Sequence, residues 1–297
     1  MDGFGIEPLA GGHSGETFLA EAAGERTVVR VYGERSAGRG PEAPLVDAAV
    51  LHLVRGLLPV PDVIEARRAD AATGSPGLLV TGFLPGSRLD LLLPELDEAA
   101  RATVGRGLGA VVARLAQMPM PRPGLFVDDT LRTEPLPGGD LTTFVETYRK
   151  GTALATWPDE AYDGLLAVAE HAQGLLDQVS RTCLVHSDLN PKNLLVDPEA
   201  LEVTGVLDWE FAHAGSPVTD LGNLLRFERD AAFAGAVLDA YRGLVVDAPD
   251  DVLDRARAAD LFALVDLAGR RGQNPVTEQA HDLLREIART GDLHATP

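Results

Sequence analysis

The residues best suited to do chemistry lie in one short stretch, 184–196. An apolar run ends at His186 and Asp188, a turn containing Pro191 follows, and a second apolar run begins after Asn193. This pattern predicts two strands joined by a polar turn, with Asp188 and Asn193 facing one cavity. A carboxylate placed in this way can orient a hydroxyl group and take its proton.

A second strand end supplies another carboxylate farther along the chain. The apolar run that ends in Val206 and Leu207 is followed by Asp208, Trp209 and Glu210. Phosphoryl transfer needs a carboxylate to orient the acceptor hydroxyl, and hard oxygen ligands for the phosphate-bound Mg²⁺. One carboxylate and one amide oxygen are a common ligand set for that ion. The two strand ends together therefore indicate phosphoryl transfer.

The string H-x-D-x-x-x-x-N with a later Asp resembles the catalytic and metal loops of protein-kinase-like phosphotransferases. Within that group, Asp208-Trp209-Glu210 resembles the metal-binding string of the aminoglycoside phosphotransferase and choline kinase family. The resemblance implies that Asp188 is the catalytic carboxylate and that Asn193 and Asp208 bind Mg²⁺. It further implies that His186 and Asp220 support the catalytic loop.

The N-terminal region resembles the nucleotide-binding part of the same family. The glycine-rich segment 11–15 lies between two predicted strands, where backbone amides can approach phosphate oxygens. Arg30 occupies the place of the strand lysine that holds the α- and β-phosphates, with Asp47, or alternatively Glu42, as its helix partner. The alternative for the glycine-rich segment is an ordinary hairpin turn. The alternative for Arg30 is a solvated arginine on an edge strand. The residues predicted to contact ATP or GTP are Gly12, Ser14, Gly15, Arg30, Asp47, Thr81 and Phe83.

The predicted fold is α+β and two-lobed, like that of protein kinases. Short β-prone runs with one helix fill residues 1–83, which predicts an N-terminal lobe built on a small antiparallel sheet. Residues 84–297 are mainly helical and predict a larger C-terminal lobe that holds the catalytic loop and the acceptor. Between its helices, the proline-rich stretch 118–140 predicts a long surface excursion. The nucleotide is expected in the cleft between the lobes.

Composition excludes several classes of protein. The chain has 297 residues and a net charge of −19, which argues against a broad basic face for nucleic acid. No apolar stretch is long enough to span a membrane, and the N-terminus lacks the basic and apolar regions of a signal peptide. Cys183 is the one cysteine, so the sequence favours a reducing, cytoplasmic location. No sequence feature sets the oligomeric state.

The acceptor is predicted to be a small molecule, and the acidic surface favours a cationic one. An aminoglycoside-type antibiotic fits best, with Glu210 and Asp140 as candidate contacts. A solvated acidic face is the plain alternative. A choline or ethanolamine acceptor ranks lower because aromatic residues are only 5% of the chain. Amino acids and sugar-like metabolites are further alternatives. A catalytically inactive, nucleotide-binding pseudokinase is the alternative of another class.

Overall fold

The computed structural model describes residues 5–9, 16–33 and 38–296. It divides into two compact units. The first comprises Met1–Asp97, Gly124–Glu134 and Pro191–Ala214, and the second comprises Glu98–Pro123, Pro135–Asn190 and Gly215–Pro297. Neither unit is a single stretch of the sequence, because two later segments of the chain belong to the same unit as the N-terminal sheet. The lobe boundary after residue 83 stays a prediction.

The first unit contains most of the strands. Its helices are short, as expected for segments that support a sheet rather than form a bundle. In chain order its elements are β1 (Gly5–Pro8), β2 (Glu16–Ala22), β3 (Glu25–Tyr32), α1 (Ala43–Val54), β4 (Val63–Arg67), β5 (Gly77–Gly82), β6 (Ser87–Arg88), α2 (Leu89–Leu92), β7 (Gly124–Phe126), β8 (Thr133–Glu134), β10 (Leu194–Val196), β11 (Val203–Val206) and β12 (His213–Gly215, whose last residue belongs to the second unit).

The main sheet of the first unit is antiparallel, with strand order β1-β2-β3-β5-β4. β2 and β3 form the predicted hairpin, in which Ala22 pairs with Glu25. The two residues between them, Ala23 and Gly24, have φ angles of 53° and 81°. Positive φ at both central positions is the geometry of a type I′ turn, which matches the twist of the strands it joins. The hairpin therefore fixes the register that presents Arg30 on β3.

Two smaller sheets complete the first unit. β10 pairs with β6 and with β11, so the segment after the H-x-D-x-x-x-x-N string packs next to the chain that follows β5. β7 pairs with β8 and with β12. These pairings give structure to part of the proline-rich excursion, whose residues 124–134 pack with the first unit. The fold as a whole is α+β with an antiparallel sheet in its N-terminal region, as predicted.

The second unit is mainly helical, as the periodicity of the sequence predicts. Its core is a set of buried aliphatic and aromatic side chains contributed chiefly by four of its helices. Its elements are α3 (Glu98–Ala116), α4 (Leu141–Arg149), α5 (Asp159–Leu176), β9 (Cys183–Val185), α6 (Thr219–Leu225), α7 (Ala231–Leu244), α8 (Val252–Gly269) and α9 (Pro275–Thr290).

Glycines let α3 and α7 approach closely in the second unit. A Cβ atom at Gly105 would lie 2.7 Å from the carbonyl oxygen of Phe233, and one at Gly109 would lie 2.4 Å from that of Val237. The two glycines are four residues apart and so share one face of α3. That face packs against α7, and α3 also contacts β9.

None of the helices in the described part of the chain combines the length and the apolar character that crossing a membrane requires.

Candidate active site

The loop after β9 is held by one buried carboxylate in the second unit. Asp220, near the start of α6, accepts hydrogen bonds from the backbone N–H groups of His186 at 2.9 Å and Ser187 at 2.8 Å. Asp220 and His186 are almost completely buried. Ser187 has a φ of 67°, a left-handed conformation that is uncommon for residues other than glycine. The two hydrogen bonds to Asp220 stabilise this bend.

The bend presents Asp188 at the surface of the second unit. The backbone N–H of Asp188 donates to Nδ1 of His186 at 3.2 Å, so the imidazole braces the loop from within. The side-chain amide of Asn190 donates to Oδ1 of Asp188 at 2.6 Å, and the carboxylate is half-buried. His186 thus holds the backbone of Asp188, and Asn190 holds its half-buried carboxylate.

The first unit contains a cavity of about 590 Å³, a size typical of sites for small ligands. It lies between the main sheet, α1 and the segment around β10 and β11. Its lining combines apolar side chains with charged ones. Among its lining residues are the predicted site residues Arg30, Asp47, Thr81, Phe83, Asn193 and Asp208.

Asn193 and Asp208 meet in the wall of this cavity because the strands that carry them pair. The backbone N–H of Leu207 donates to the carbonyl oxygen of Asn193 at 2.8 Å. Asp208 follows with a φ of 63°, and this left-handed residue turns the chain out of β11 into a single helical turn, Trp209–Phe211. An amide oxygen and a carboxylate in one wall fit a Mg²⁺ ion that shares its coordination with phosphates.

Arg30 makes ion pairs with two carboxylates from that turn. Its Nη1 lies 2.7 Å from Oδ1 of Asp208, and its Nη2 lies 2.5 Å from Oε2 of Glu210. Burial alone lowers the pKa of Arg30, but Asp208, Tyr32, Glu210 and Asp47 together raise that pKa above its ordinary value. Arg30 therefore stays a cation, and it lies deep in the cavity wall.

Asp47 on α1 binds two other side chains. Its Oδ2 accepts hydrogen bonds from the hydroxyl of Tyr32 at 2.6 Å and from Nη1 of Arg39 at 2.9 Å. Its Oδ1 accepts from Nη2 of Arg39. Burial and the negative charge of Asp47 raise the pKa of Tyr32. The expected pairing of Arg30 with a helix acid is thus not the principal arrangement, since both oxygens of Asp47 are engaged by Arg39. Glu42, the alternative partner, lies 3.4 Å from Arg68.

The segment after β5 forms the end of the cavity where the base of a nucleotide is expected. The backbone N–H of Gly82 donates to the carbonyl oxygen of Asp62 at 2.9 Å, and that of Phe83 donates to the carbonyl oxygen of Arg26 at 3.2 Å. The Arg26 guanidinium also lies over the Phe83 ring, 4.0 Å from its centre. These two amides are therefore already bound within the protein. Thr81 is buried on β5, where it pairs with Val28.

The remaining predicted residues lie apart from this cavity or outside the described chain. Gly12, Ser14 and Gly15 are outside the described residues. Glu210 is buried against Arg30. Asp140 is exposed at the N-terminus of α4, where its carboxylate accepts the Thr143 N–H at 2.8 Å and where that bond lowers its pKa.

Sequence reasoning missed two cations of the cavity, Arg88 and Lys192. Lys192 lies inside the H-x-D-x-x-x-x-N string and is one of only two lysines in the chain, a signal that could have drawn attention to it. Arg88 on β6 forms an ion pair with Asp90 at 2.6 Å, and no sequence pattern marks it. Both join Arg30 in giving the cavity positive charge, which suits a ligand with phosphate groups.

A small antiparallel sheet, a braced H-x-D loop and a cavity with cationic side chains are the features of this chain that bear on its class, which is that of the phosphotransferases. The model of the phosphotransferase enzyme family (APH) matches residues 5–261. The chain belongs to that family.

Solved structures of aminoglycoside phosphotransferases share the fold. The GDP complex of wild-type aminoglycoside 2'-phosphotransferase-IIIa is 17% identical, covers 97% of this chain and 93% of its own, and has a TM-score of 0.69. A thermostable mutant of aminoglycoside phosphotransferase APH(4)-Ia, in ternary complex with AMP-PNP and hygromycin B, is 19% identical. It covers 97% of this chain and 94% of its own, with a TM-score of 0.66. Both neighbours hold nucleotides.

Curated relatives match shorter segments. The chain is 28% identical over 168 residues to acyl-CoA dehydrogenase family member 10 of Mus musculus, which is 55% of this chain and 15% of that protein. It is 42% identical over 55 residues to acyl-CoA dehydrogenase family member 11 of the same species, which is 18% of this chain and 7% of that protein. The chain therefore spans only a small part of the curated relatives it matches.

Proposed function

We propose that this chain transfers the γ-phosphate of ATP or GTP to a hydroxyl group of a small molecule, with an aminoglycoside-type antibiotic as the favoured acceptor. The observation that carries the proposal is the cavity of the first unit, in which Arg30, Asn193 and Asp208 line one wall. Membership of the phosphotransferase family supports the reaction type. Neighbours that hold AMP-PNP or GDP support the nucleotide.

The residues of the cavity divide the work of binding phosphates. Arg30, Arg88 and Lys192 bring cationic groups to the cavity, and guanidinium groups bind phosphate oxygens through paired hydrogen bonds. Asn193 and Asp208 would hold Mg²⁺, which neutralises charge on the phosphates when bound. Catalysis in phosphoryl transfer comes chiefly from such positioning and charge neutralisation.

Asp188 would act on the acceptor. Its carboxylate orients the acceptor hydroxyl and takes the proton as the new oxygen–phosphorus bond forms. The bond between the γ-phosphorus and the bridging oxygen breaks, and the nucleoside diphosphate leaves with the electron pair. Asp220, His186 and Asn190 keep the carboxylate in place, because each makes a hydrogen bond within this loop.

One observation favours an amino alcohol as the second candidate acceptor. Three aromatic rings cluster in the second unit: the Phe144 ring lies 4.3 Å from that of Tyr148 and 5.1 Å from that of Phe262. The Tyr148 hydroxyl donates to Asp266 at 2.9 Å. Aromatic faces beside a carboxylate attract cations, and Arg270 of this chain forms an ion pair with Asp266. The low aromatic content of the sequence did not suggest this cluster.

The test is Mg²⁺-dependent release of ADP or GDP across a panel of acceptors, with Asp188→Ala as the blank. The panel contains aminoglycosides, choline, ethanolamine, amino acids and sugars, and also hydroxylated acyl thioesters because of the names of the curated relatives. Release that depends on one acceptor and disappears in Asp188→Ala supports the proposal and identifies the acceptor class. Nucleotide binding without release for any acceptor would favour the pseudokinase. Near-normal rates in Asp188→Ala would overturn the assignment of that residue.

A further inference from the structure

The guanidinium of Arg30 is shared between two carboxylates that differ in exposure. The Asp208 side chain is 29% exposed, whereas that of Glu210 is 4% exposed. A buried carboxylate beside a buried guanidinium cannot leave without stranding an unpaired charge, which is strongly unfavourable. The outer partner, Asp208, can exchange Arg30 for another cation at a smaller cost. The two ion pairs of Arg30 are therefore not equivalent.

The position of Glu210 follows from the left-handed conformation of Asp208. That residue turns the chain into the single helical turn Trp209–Phe211, and the indole N–H of Trp209 donates to the carbonyl oxygen of Val206 at 2.9 Å. This bond ties the turn back to β11. Asp208 and Glu210 are separated by one residue in the turn, so both carboxylates reach Arg30 on β3.

Asp47 on α1, which could compete with Glu210 for Arg30, binds two other side chains. Arg39 bonds both oxygens of Asp47, and Tyr32 bonds one of them. Asp47 still contributes to the raised pKa of Arg30 through space. Its direct contacts, however, stabilise α1 against the segment that contains Arg39. Glu210 supplies the direct and buried contact to the phosphate-binding arginine.

We propose that Glu210 is the residue that positions Arg30 for the nucleotide, in place of an acid on α1. The inference rests on the proposed function. Asp208 would hold a metal ion, and Glu210 would then keep the Arg30 guanidinium in the cavity wall. Glu210 thereby couples the metal-binding turn to the nucleotide-binding strand. It acts through Arg30 and does not itself touch the acceptor.

The first experiment measures the dissociation constant of ADP by calorimetry, with and without Mg²⁺ and with no acceptor present. Glu210→Gln removes the charge and keeps the shape, and we expect ADP to bind roughly tenfold more weakly, as for loss of one charged hydrogen bond. Glu42→Gln is the matched control, since Glu42 is a half-exposed acid whose contact is to Arg68, and it should bind ADP like the original chain. A larger loss in Asp47→Asn than in Glu210→Gln would overturn the inference.

The second experiment is a double-mutant cycle with Arg30→Gln. If Glu210 acts through Arg30, ADP should bind the double variant as it binds Arg30→Gln alone. Losses that multiply would contradict the inference. Thermal unfolding of each variant checks that it is folded, and Glu210→Asp, which keeps the charge, provides an intermediate case if Glu210→Gln does not fold.

Two further outcomes separate this inference from the proposed function. If the original chain binds ADP and Glu210→Gln binds it equally well but raises the KM of the acceptor, Glu210 contacts the acceptor and the inference is wrong. If the original chain binds neither ADP nor GDP, the proposed function fails and the inference fails with it.

Discussion

Oδ2 of Asp220 accepts a hydrogen bond from the backbone N–H of His186 at 2.9 Å, and both residues are buried. Its other oxygen accepts the next amide in the chain, that of Ser187. One carboxylate on α6 therefore fixes two successive peptide groups immediately before Asp188. This arrangement explains how a non-glycine residue with a positive φ persists in the loop.

Replacing Asp220 should affect both stability and turnover. In Asp220→Asn, an amide group faces one of the two backbone amides, and we expect a loss of about 1–3 kcal/mol in the free energy of unfolding. We also expect kcat to fall more than the nucleotide dissociation constant rises, because the change displaces Asp188 only. Chemical denaturation and steady-state kinetics measure the two effects.

Asp197→Asn is the control for that variant. Asp197 also accepts two backbone N–H groups, those of Glu199 and Ala200, but in an exposed turn. Its replacement should change stability and kcat little. Equal effects of the two substitutions would show that burial at Asp220 has no special role in the loop.

Replacing Asp208 should alter the requirement for metal. Asp208→Asn removes a charged ligand, so the Mg²⁺ concentration for half-maximal turnover should rise at least about tenfold. Binding of ADP without metal should not weaken, because Arg30 loses its competing partner and remains paired with Glu210. Glu202→Gln, at an exposed site in the same unit, is the control. An unchanged Mg²⁺ dependence would remove Asp208 from the metal site.

The contact between α3 and α7 should not accept a side chain at Gly109. A Cβ atom there would lie 2.4 Å from the carbonyl oxygen of Val237 and 2.8 Å from Cβ of Ala240. We expect Gly109→Ala to lower the free energy of unfolding by about 1–3 kcal/mol. Gly235→Ala, on α7 with open space around its Cα, should instead stabilise by about 0.5–1 kcal/mol. Denaturant unfolding of both variants tests the difference in sign.

The thiol of Cys183 should be unreactive in the folded protein. Burial, with a smaller contribution from Asp220, raises its pKa to about 12. The unfolded chain ionises this thiol near pH 9 while the folded chain keeps it protonated, so its contribution to stability is complete below pH 9 and is lost as the pH rises toward 12. A thiol-exchange reagent at pH 8 should label the protein only after denaturation. Rapid labelling of the native protein would contradict this expectation.

Local patterns in the sequence were sufficient to predict several elements. The β2–β3 hairpin, α1, α3, α5 and the short strands on both sides of the H-x-D-x-x-x-x-N string lie where alternation, helical spacing and turn residues indicated. These predictions succeed because each depends on residues close together in the chain. The sequence also indicated phosphoryl transfer, because the H-x-D-x-x-x-x-N string places Asp188 and Asn193 five residues apart.

The partners of Arg30 could not be predicted in this way. Arg30 and Glu210 are 180 residues apart in the chain, and their contact depends on how β3 and the turn after β11 pack together. The sequence offered Asp47 because the resemblance implies an acid on the helix as the partner of the strand cation. Arg39, which binds Asp47, lies between them in a loop that carries no periodic signal.

The sequence by itself determined the family, the α+β class and the identity of the candidate catalytic and metal-binding residues, because motifs and periodicity are properties of neighbouring residues. Only the tertiary structure decided that residues 124–134 and 191–214 pack with the first unit, that Arg88 and Lys192 line the cavity, and that Glu210 is buried against Arg30. The physical reason is that burial and charge pairing are set by contacts between distant segments, and many pairings are compatible with the same local pattern.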